Sequence, residues 1–117
     1  MTGRHIVDFN TALGLRLGAD GETIELHARA PDHQIGDGMV HLAVLTTLGE
    51  VAAAHAVGTA VVPSALTANF LRPAPLGLLT AKGKVLVRGR RLCTAEGEVS
   101  AGGKLVAKVT VTFAVVA

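Results

Sequence analysis

The stretch that decides the fold runs from Gly38 to Gly58 and reads GMVHLAVLTTLGEVAAAHAVG. Its apolar residues recur at helical spacing, and glycine is common just past the end of a helix, so the stretch predicts a helix that stops at Gly58. Alanines and leucines fill most of the other faces of this helix. A helix that is apolar nearly all round is typical of a buried position, so we expect the chain to fold around it.

One carboxylate interrupts this apolar helix. Glu50 is the only formally charged residue between positions 38 and 71, and no Lys or Arg occurs between positions 29 and 72. A carboxylate without a cation nearby in the chain is costly to bury, and burial raises its pKa. Carboxylates perturbed in this way occur at catalytic sites, so Glu50 is the first functional candidate. The alternative is a structural carboxylate that is bonded to Thr46, to Thr47 or to a donor of a partner chain.

Length and composition limit the classes of protein that this chain can represent. With 117 residues it is expected to form one domain over positions 1–117, and no apolar run approaches the length of a membrane span. The N-terminal sequence lacks the basic and then apolar order of a signal peptide, which predicts a cytoplasmic protein. A net charge of +2 and the absence of Trp and Tyr argue against nucleic-acid binding.

The cysteine and the histidines indicate neither a disulfide framework nor a metal site. Cys93 is the only cysteine and lies in an alternating, strand-like segment, so we expect a half-buried strand residue rather than a catalytic thiol. The five histidines show no zinc-ligand spacing such as HExxH. We therefore expect no metal and no bound cofactor.

The rest of the chain is predicted to be mainly β-structure. Positions 8–13 predict a short helix, and positions 31–37 a polar loop. An Asp20-Gly21 turn separates two alternating segments, and four segments rich in Val, Leu and Thr follow the central helix. The six predicted strands lie at positions 15–19, 23–30, 60–71, 78–88, 92–100 and 105–116.

The order of these elements predicts an α+β protein. Consecutive hairpins indicate an antiparallel sheet of about six strands, with the one long helix packed on its face. A single helix cannot cover both faces of such a sheet. We therefore expect a second subunit to cover what remains.

Two motifs carry a resemblance to a known family. In the segment DGMVHLAVLTTLGEVA, positions 37–52, a histidine at the helix entry is followed along the helix by a carboxylate. This segment resembles the phenylacetate-type acyl-CoA thioesterases, which are 4-hydroxybenzoyl-CoA thioesterase-like proteins with the hotdog fold. His41 falls on the histidine of the family's His-Gly-Gly motif and Glu50 on its helix carboxylate, whereas Leu42 and Ala43 replace the two glycines.

The second motif follows the helix. The segment NFLRP at positions 69–73 is similar to the family's Asn-Tyr-Leu-Arg-Pro, and Gly89-Arg90 and the closing strand KLVAKVTVTF also fit. The family often has Asn or Gln six residues before the histidine. That position is Ile35 here, with Gln34 one place away. The resemblance spans nearly the whole chain and implies a hotdog fold.

Thioester hydrolysis needs a polarised carbonyl group and an activated attacking group. The N–H groups at a helix N-terminus suit the first task because they carry partial positive charge where the oxyanion develops. Leu42 retains such an N–H, and Glu50 suits the second task as general base for water or as nucleophile. The two residues are eight positions apart, about 12 Å along one helix, so we expect them to meet only across two antiparallel helices of a homodimer.

Further residues have predicted roles. His41 is expected to cap the helix entry and orient the loop, with direct proton transfer as the alternative, and Gln34 to hold a carbonyl group or a water. His55 is expected to be packed rather than catalytic. Arginines are candidates for binding CoA phosphates, with a solvated rim as the alternative. The predicted substrate-binding residues are Ala43, Thr47, Asn69, Arg72, Arg90 and Arg91.

Together these observations predict an acyl-CoA thioesterase that forms a homodimer or a dimer of dimers. Two alternatives remain open. One is a hotdog hydratase or dehydratase in which His33 acts with Glu50, although the proline-rich loop of those enzymes is missing. The other is a non-catalytic acyl-CoA-binding module. The replacement of the motif glycines by Leu42 and Ala43 favours this alternative.

Overall fold

The computed structural model describes residues 8–116. The sequence before Asp8, which contributed to the signal-peptide prediction, lies outside the described residues. In chain order the elements are α1 (Phe9–Leu13), β1 (Arg16–Leu17), β2 (Ile24–Ala28), β3 (Gln34–Gly36), β4 (Met39–Val40), α2 (Leu42–Val57), β5 (Val61–Phe70), β6 (Gly77–Arg88), β7 (Leu92–Ala101) and β8 (Lys104–Val115).

Six of the strands form one antiparallel sheet in the order β1-β2-β6-β7-β8-β5, while β3 and β4 form a separate two-stranded ribbon. The long helix α2 packs across β6, β7 and β8. The predicted α+β arrangement, one long helix on an antiparallel sheet of about six strands, is confirmed. The ten-residue strand β5 is an edge strand that pairs only with β8 within the described sheet.

The central helix is confirmed, but it begins later than the sequence predicted. It starts at Leu42 rather than near Gly38, because His41 is the N-cap and has an extended backbone with φ −65° and ψ 140°. It ends as predicted at Gly58, whose φ of +75° lies in the left-handed region that glycine enters without steric cost.

The prediction of a polar loop over positions 31–37 was partly wrong. Gln34 pairs with Val40 across a turn in which Gly38 has a φ of +69°, so β3 and β4 form a ribbon. The short segment lacked the alternation of a strand, and the tight turn rather than an apolar face brings the two strands together. This ribbon leads directly into the N-terminus of α2.

The helix lies unusually close to the sheet at two points, Gly83 of β6 and Gly97 of β7. A methyl group on Gly97 of β7 would lie 2.7 Å from the carbonyl carbon of Gly49, and a methyl group on Gly49 would overlap the side chain of Val109. Only hydrogen fits at either position. Because Glu50 follows Gly49 directly, this contact limits how far the backbone next to Glu50 can lie from the sheet. The helix buries Val44, Leu45, Leu48, Gly49, Ala52, Ala53 and Val57.

The two faces of the sheet differ in chemistry. The face toward α2 is apolar and includes Cys93, which is 1 % exposed and therefore fully buried rather than half-buried as predicted. The opposite face carries charged residues, and the Lys108 amine lies 3.5 Å from Glu98 and 3.8 Å from Glu96. This charged face needs no apolar cover. We expected a second subunit to cover it, and that reason for a second subunit was wrong.

Large exposed apolar side chains occur on the edge strand, around the start of α2 and at several other places, including the β6–β7 hairpin. Val62, Leu66 and Phe70 of β5 are 54 %, 45 % and 43 % exposed. No helix within residues 8–116 is long and apolar enough to cross a membrane. In the same part of the chain, no three His, Cys, Asp or Glu side chains come together in a way that could hold a metal ion.

Candidate active site

Among the described residues, the N-terminus of α2 presents one backbone amide without a hydrogen-bond partner. The side-chain Nδ1 of His41 accepts the Ala43 N–H at 2.9 Å, and the backbone carbonyl of His41 accepts the Val44 N–H at 3.0 Å. Within residues 8–116 no acceptor lies in hydrogen-bonding range of the Leu42 N–H. His41 therefore caps the helix, as predicted. Leu42 is left as the donor that can bind an oxyanion.

Glu50 lies two turns further along the same helix and is half-buried. Burial raises the pKa of its carboxyl group above the ordinary value of 4.5. Within the described residues it forms no salt bridge. The Thr46 and Thr47 hydroxyl groups each donate to a backbone carbonyl of α2 at 2.8 Å, so the proposed structural bond from a threonine hydroxyl to Glu50 does not form.

A single chain does not bring the amide and the carboxylate together. Leu42 and Glu50 both lie on α2, and eight residues of helix separate them by about 12 Å. That distance is too large for both groups to act on one carbonyl carbon, since reacting atoms must approach to about 3–3.5 Å.

An apolar groove of about 450 Å³ adjoins the start of the helix. The Leu42 side chain is 51 % exposed and forms part of its wall, so the free amide and the groove are neighbours. Apart from Leu42 and Arg72, the sequence analysis gave the groove residues no binding role, because they lie on three separate segments that only the fold brings together. The groove is lined by Ile35, Met39, Val40, Leu42, Leu45, Phe70, Leu71, Arg72, Pro73 and Ala74.

The predicted substrate-binding residues divide between the two ends of the helix. Arg72 borders the groove at the N-terminal end. Arg90 and Arg91 are exposed in the β6–β7 turn. That turn lies at the other end, because Arg88 in the same hairpin donates from Nη2 to the Val57 carbonyl at 3.0 Å. Within one chain, therefore, the three predicted phosphate-binding arginines do not lie close together.

The remaining predicted residues occupy different surroundings. Ala43 is exposed and Thr47 half-buried on α2. Asn69 is in register with Lys108, whose partners lie on the face away from α2, so Asn69 points away from the groove. Gln34 is half-buried, and its Oε1 accepts the Gly38 N–H at 3.4 Å within the ribbon turn.

Two histidine predictions were wrong. His33 was the candidate partner of Glu50 in a hydratase, but it is 5 % exposed and both ring nitrogens are bonded to backbone groups, the Arg29 N–H and the Leu13 carbonyl. It therefore has no nitrogen with which to move a proton to or from a substrate. His55 is exposed rather than packed, because its Nε2 reaches out to donate to the Gly21 carbonyl at 2.9 Å.

Comparison with known proteins agrees with this geometry. A family model described as the acyl-CoA thioesterase N-terminal domain matches residues 20–114. A mutant of the phenylacetic acid degradation protein PaaI from Thermus thermophilus is 29 % identical with a TM-score of 0.81, over 92 % of this chain and 98 % of that one. No match was found among curated protein sequences.

Two further solved structures are similar. A phenylacetic acid degradation-related protein from Ralstonia eutropha is 27 % identical with a TM-score of 0.76, over 91 % of this chain and 88 % of that one. A Bacillus halodurans protein solved with CoA is 23 % identical with a TM-score of 0.81, over 96 % and 78 % of the two chains. At that identity the Bacillus protein supports the fold alone.

The six-stranded antiparallel sheet and the single central helix define a hotdog-fold protein. The chain belongs to the acyl-CoA thioesterase family, since the matched residues cover most of its length. It is accordingly a thioester hydrolase, and the resemblance seen in its motifs is confirmed.

Proposed function

We propose that the protein hydrolyses an acyl-CoA thioester to the free acid and CoA, with Glu50 as general base or nucleophile. The observation that carries this proposal is the position of Glu50: a half-buried carboxylate on an apolar helix, with no cation bonded to it within residues 8–116. A carboxylate that is poorly solvated and not neutralised is a stronger base than one in water.

The proposed reaction uses two groups of opposite character. The Leu42 N–H donates to the thioester oxygen and stabilises the negative charge that develops there. As general base, Glu50 takes a proton from water while the water oxygen bonds to the carbonyl carbon; the C–S bond then breaks and the proton passes to the CoA thiolate. As nucleophile, the Glu50 carboxylate would bond to the carbonyl carbon, the C–S bond would break with release of the CoA thiolate, and water would hydrolyse the resulting mixed anhydride in a second step, giving the free acid and regenerating Glu50.

The proposal requires two chains, because the amide and the carboxylate of one chain lie about 12 Å apart. Antiparallel pairing of two α2 helices would bring the Leu42 amide of one subunit to Glu50 of the other. The exposed edge strand β5, with three large apolar side chains, supports a second copy as the occupant of that edge. Assembly into a dimer of dimers is the larger form of the same proposal.

The proposed dimer would also bring arginines of the two subunits together. In an antiparallel pair, the Arg90 and Arg91 turn of one subunit would lie at the same end as Arg72 of the other, so that three cations flank one groove. The phosphates of CoA are the complementary charge. An Arg90→Ala/Arg91→Ala variant is expected to raise KM for acyl-CoA, more at low than at high salt, with kcat little changed.

The test is a free-thiol release assay across short, medium, long and aromatic acyl-CoAs. Glu50→Gln is expected to lower kcat at least 100-fold, whereas Glu98→Gln, which removes an exposed carboxylate on the charged face of the sheet, is expected to leave turnover unchanged. Undiminished turnover in Glu50→Gln would remove the proposal. Tight acyl-CoA binding without turnover by the wild type would instead identify a binding module, and hydration of crotonyl-CoA would identify a hydratase.

A further inference from the structure

His33 occupies a position that the proposed reaction does not use. It is the only buried polar or charged side chain among the described residues, with 5 % exposure. Its Nδ1 accepts the Arg29 N–H at 3.0 Å and its Nε2 lies 2.8 Å from the Leu13 carbonyl. A carbonyl oxygen can only accept, so this arrangement assigns the proton to Nε2.

The backbone of His33 leads from this buried ring to the helix N-cap. Its carbonyl accepts the His41 N–H at 2.8 Å, and its N–H donates to the Arg29 carbonyl at 3.0 Å. His41 in turn caps α2 through its side chain and its carbonyl, as described above. The imidazole of His33 thus fixes the backbone that holds the N-cap, and it ties that backbone to the last residue of α1, Leu13.

We infer that His33 is a positioning residue for the oxyanion amide: its neutral, Nε2-protonated ring sets where His41 stands and therefore where the Leu42 N–H points. This inference rests on the proposed function. An imidazole suits the place because it donates and accepts in opposite directions across a rigid ring. An apolar side chain of similar size would leave a part-buried N–H and a part-buried carbonyl without these partners.

A small displacement of the Leu42 amide is expected to slow catalysis. An oxyanion donor acts only within about 2.7–3.1 Å of the developing charge, and loss of one donor costs about 10²–10³ in kcat. A shift of about 1 Å at the N-cap is enough to cost about 10². Binding of the CoA portion does not depend on this amide, so the loss is expected in kcat rather than in KM.

The experiment compares His33→Leu and His33→Gln with His27→Gln, which alters an exposed histidine on β2. His33→Leu is expected to lower kcat per folded molecule by about 10- to 100-fold with KM changed less than about threefold. His33→Gln, which keeps a donor and an acceptor, is expected to recover part of that loss. Amide exchange is expected to accelerate at Ala43 while the middle of α2 stays protected, which general destabilisation would not produce.

Two outcomes separate this inference from the proposed function. If Glu50→Gln abolishes hydrolysis but folded His33→Leu keeps the wild-type kcat, the positioning role is wrong and the proposed function stands. If Glu50→Gln is fully active, the proposed function fails first. Should His33→Leu not fold, ¹⁵N NMR of the wild-type imidazoles decides: a proton on Nδ1 of His33, or on both ring nitrogens at neutral pH, overturns the inference.

Discussion

Replacing Gly97 by alanine would test whether the close approach of α2 to the sheet sets the position of Glu50. The added methyl group would lie 2.7 Å from the carbonyl carbon and 2.8 Å from the Cα of Gly49, and closer still to the Gly49 carbonyl oxygen. Non-bonded carbon atoms rest about 3.5–4.0 Å apart. The helix must therefore move away by about 1 Å, because all of these atoms belong to the backbone and no side chain can rotate aside.

Two effects of different size follow from that displacement. Overpacking of this kind destabilises a protein by about 1–3 kcal/mol, which a denaturant titration measures. Glu50 adjoins Gly49 and moves with the helix, so a displacement of about 1 Å is expected to lower kcat for acyl-CoA hydrolysis by about 100-fold. The loss of rate should exceed any change in KM, since the groove at the helix start is formed mostly by other segments.

Gly36→Ala is the matched control, because a methyl group at Gly36 meets nothing within 4 Å. Its backbone φ also lies outside the left-handed region, so alanine adds no strain there. It is expected to change neither stability nor kcat appreciably. If folded Gly97→Ala retained the wild-type kcat, or if the two variants behaved alike, the argument that the glycine contact places Glu50 would be refuted.

Three other predictions use the same chain. Because burial raises the folded pKa of Glu50 above 4.5, folded Glu50 holds its proton more tightly than unfolded Glu50, so the contribution of Glu50 to stability falls as pH rises through that window. Glu50→Gln should therefore gain on the wild type in denaturant titrations from acid to neutral pH, and a constant difference would contradict this. Leu42→Ala keeps the amide but widens the groove, so kcat/KM should rise about tenfold for bulky acyl-CoAs and not for acetyl-CoA; equal effects on both would reject the groove as the acyl site. Leu66→Lys places a charge on the exposed edge of β5 and should shift the assembly toward single chains in sedimentation, with activity lost in parallel.

The parts of this molecule that the sequence revealed are those whose signal is local. The apolar stretch of α2 was readable because every face is apolar and Gly58 ends it, and Glu50 was conspicuous because the helix carries no other charge. The start of the helix was misplaced, since the cap depends on the Nδ1 of His41 accepting an N–H two residues later. No residue type at positions 38–41 excludes another helical turn there by itself.

The parts that the sequence did not reveal depend on contacts between distant segments. His33 belongs to a loop whose composition is polar. Nothing near it in the chain shows that its ring will be hydrogen-bonded to the Leu13 carbonyl, twenty residues earlier. His55 was misjudged for the same reason, because its partner Gly21 lies 34 residues away. The arginines were grouped by charge alone, whereas the sheet places Arg72 and the Arg90 turn at opposite ends of α2.

The groups of the proposed active site lie at different positions along α2. Its N-terminus holds the apolar groove, Arg72 and the Leu42 amide, which has no partner within residues 8–116. The carboxylate lies two turns away, and the basic β6–β7 turn lies near the C-terminus of the helix. A helix is rigid, so no motion within one chain can bring these groups to one thioester. In the proposed dimer, a second, antiparallel copy would supply the base at each amide, and the same symmetry would generate two equivalent sites. If a second copy covers the exposed apolar edge strand as we propose, that contact would complete the active site as well as bury apolar surface.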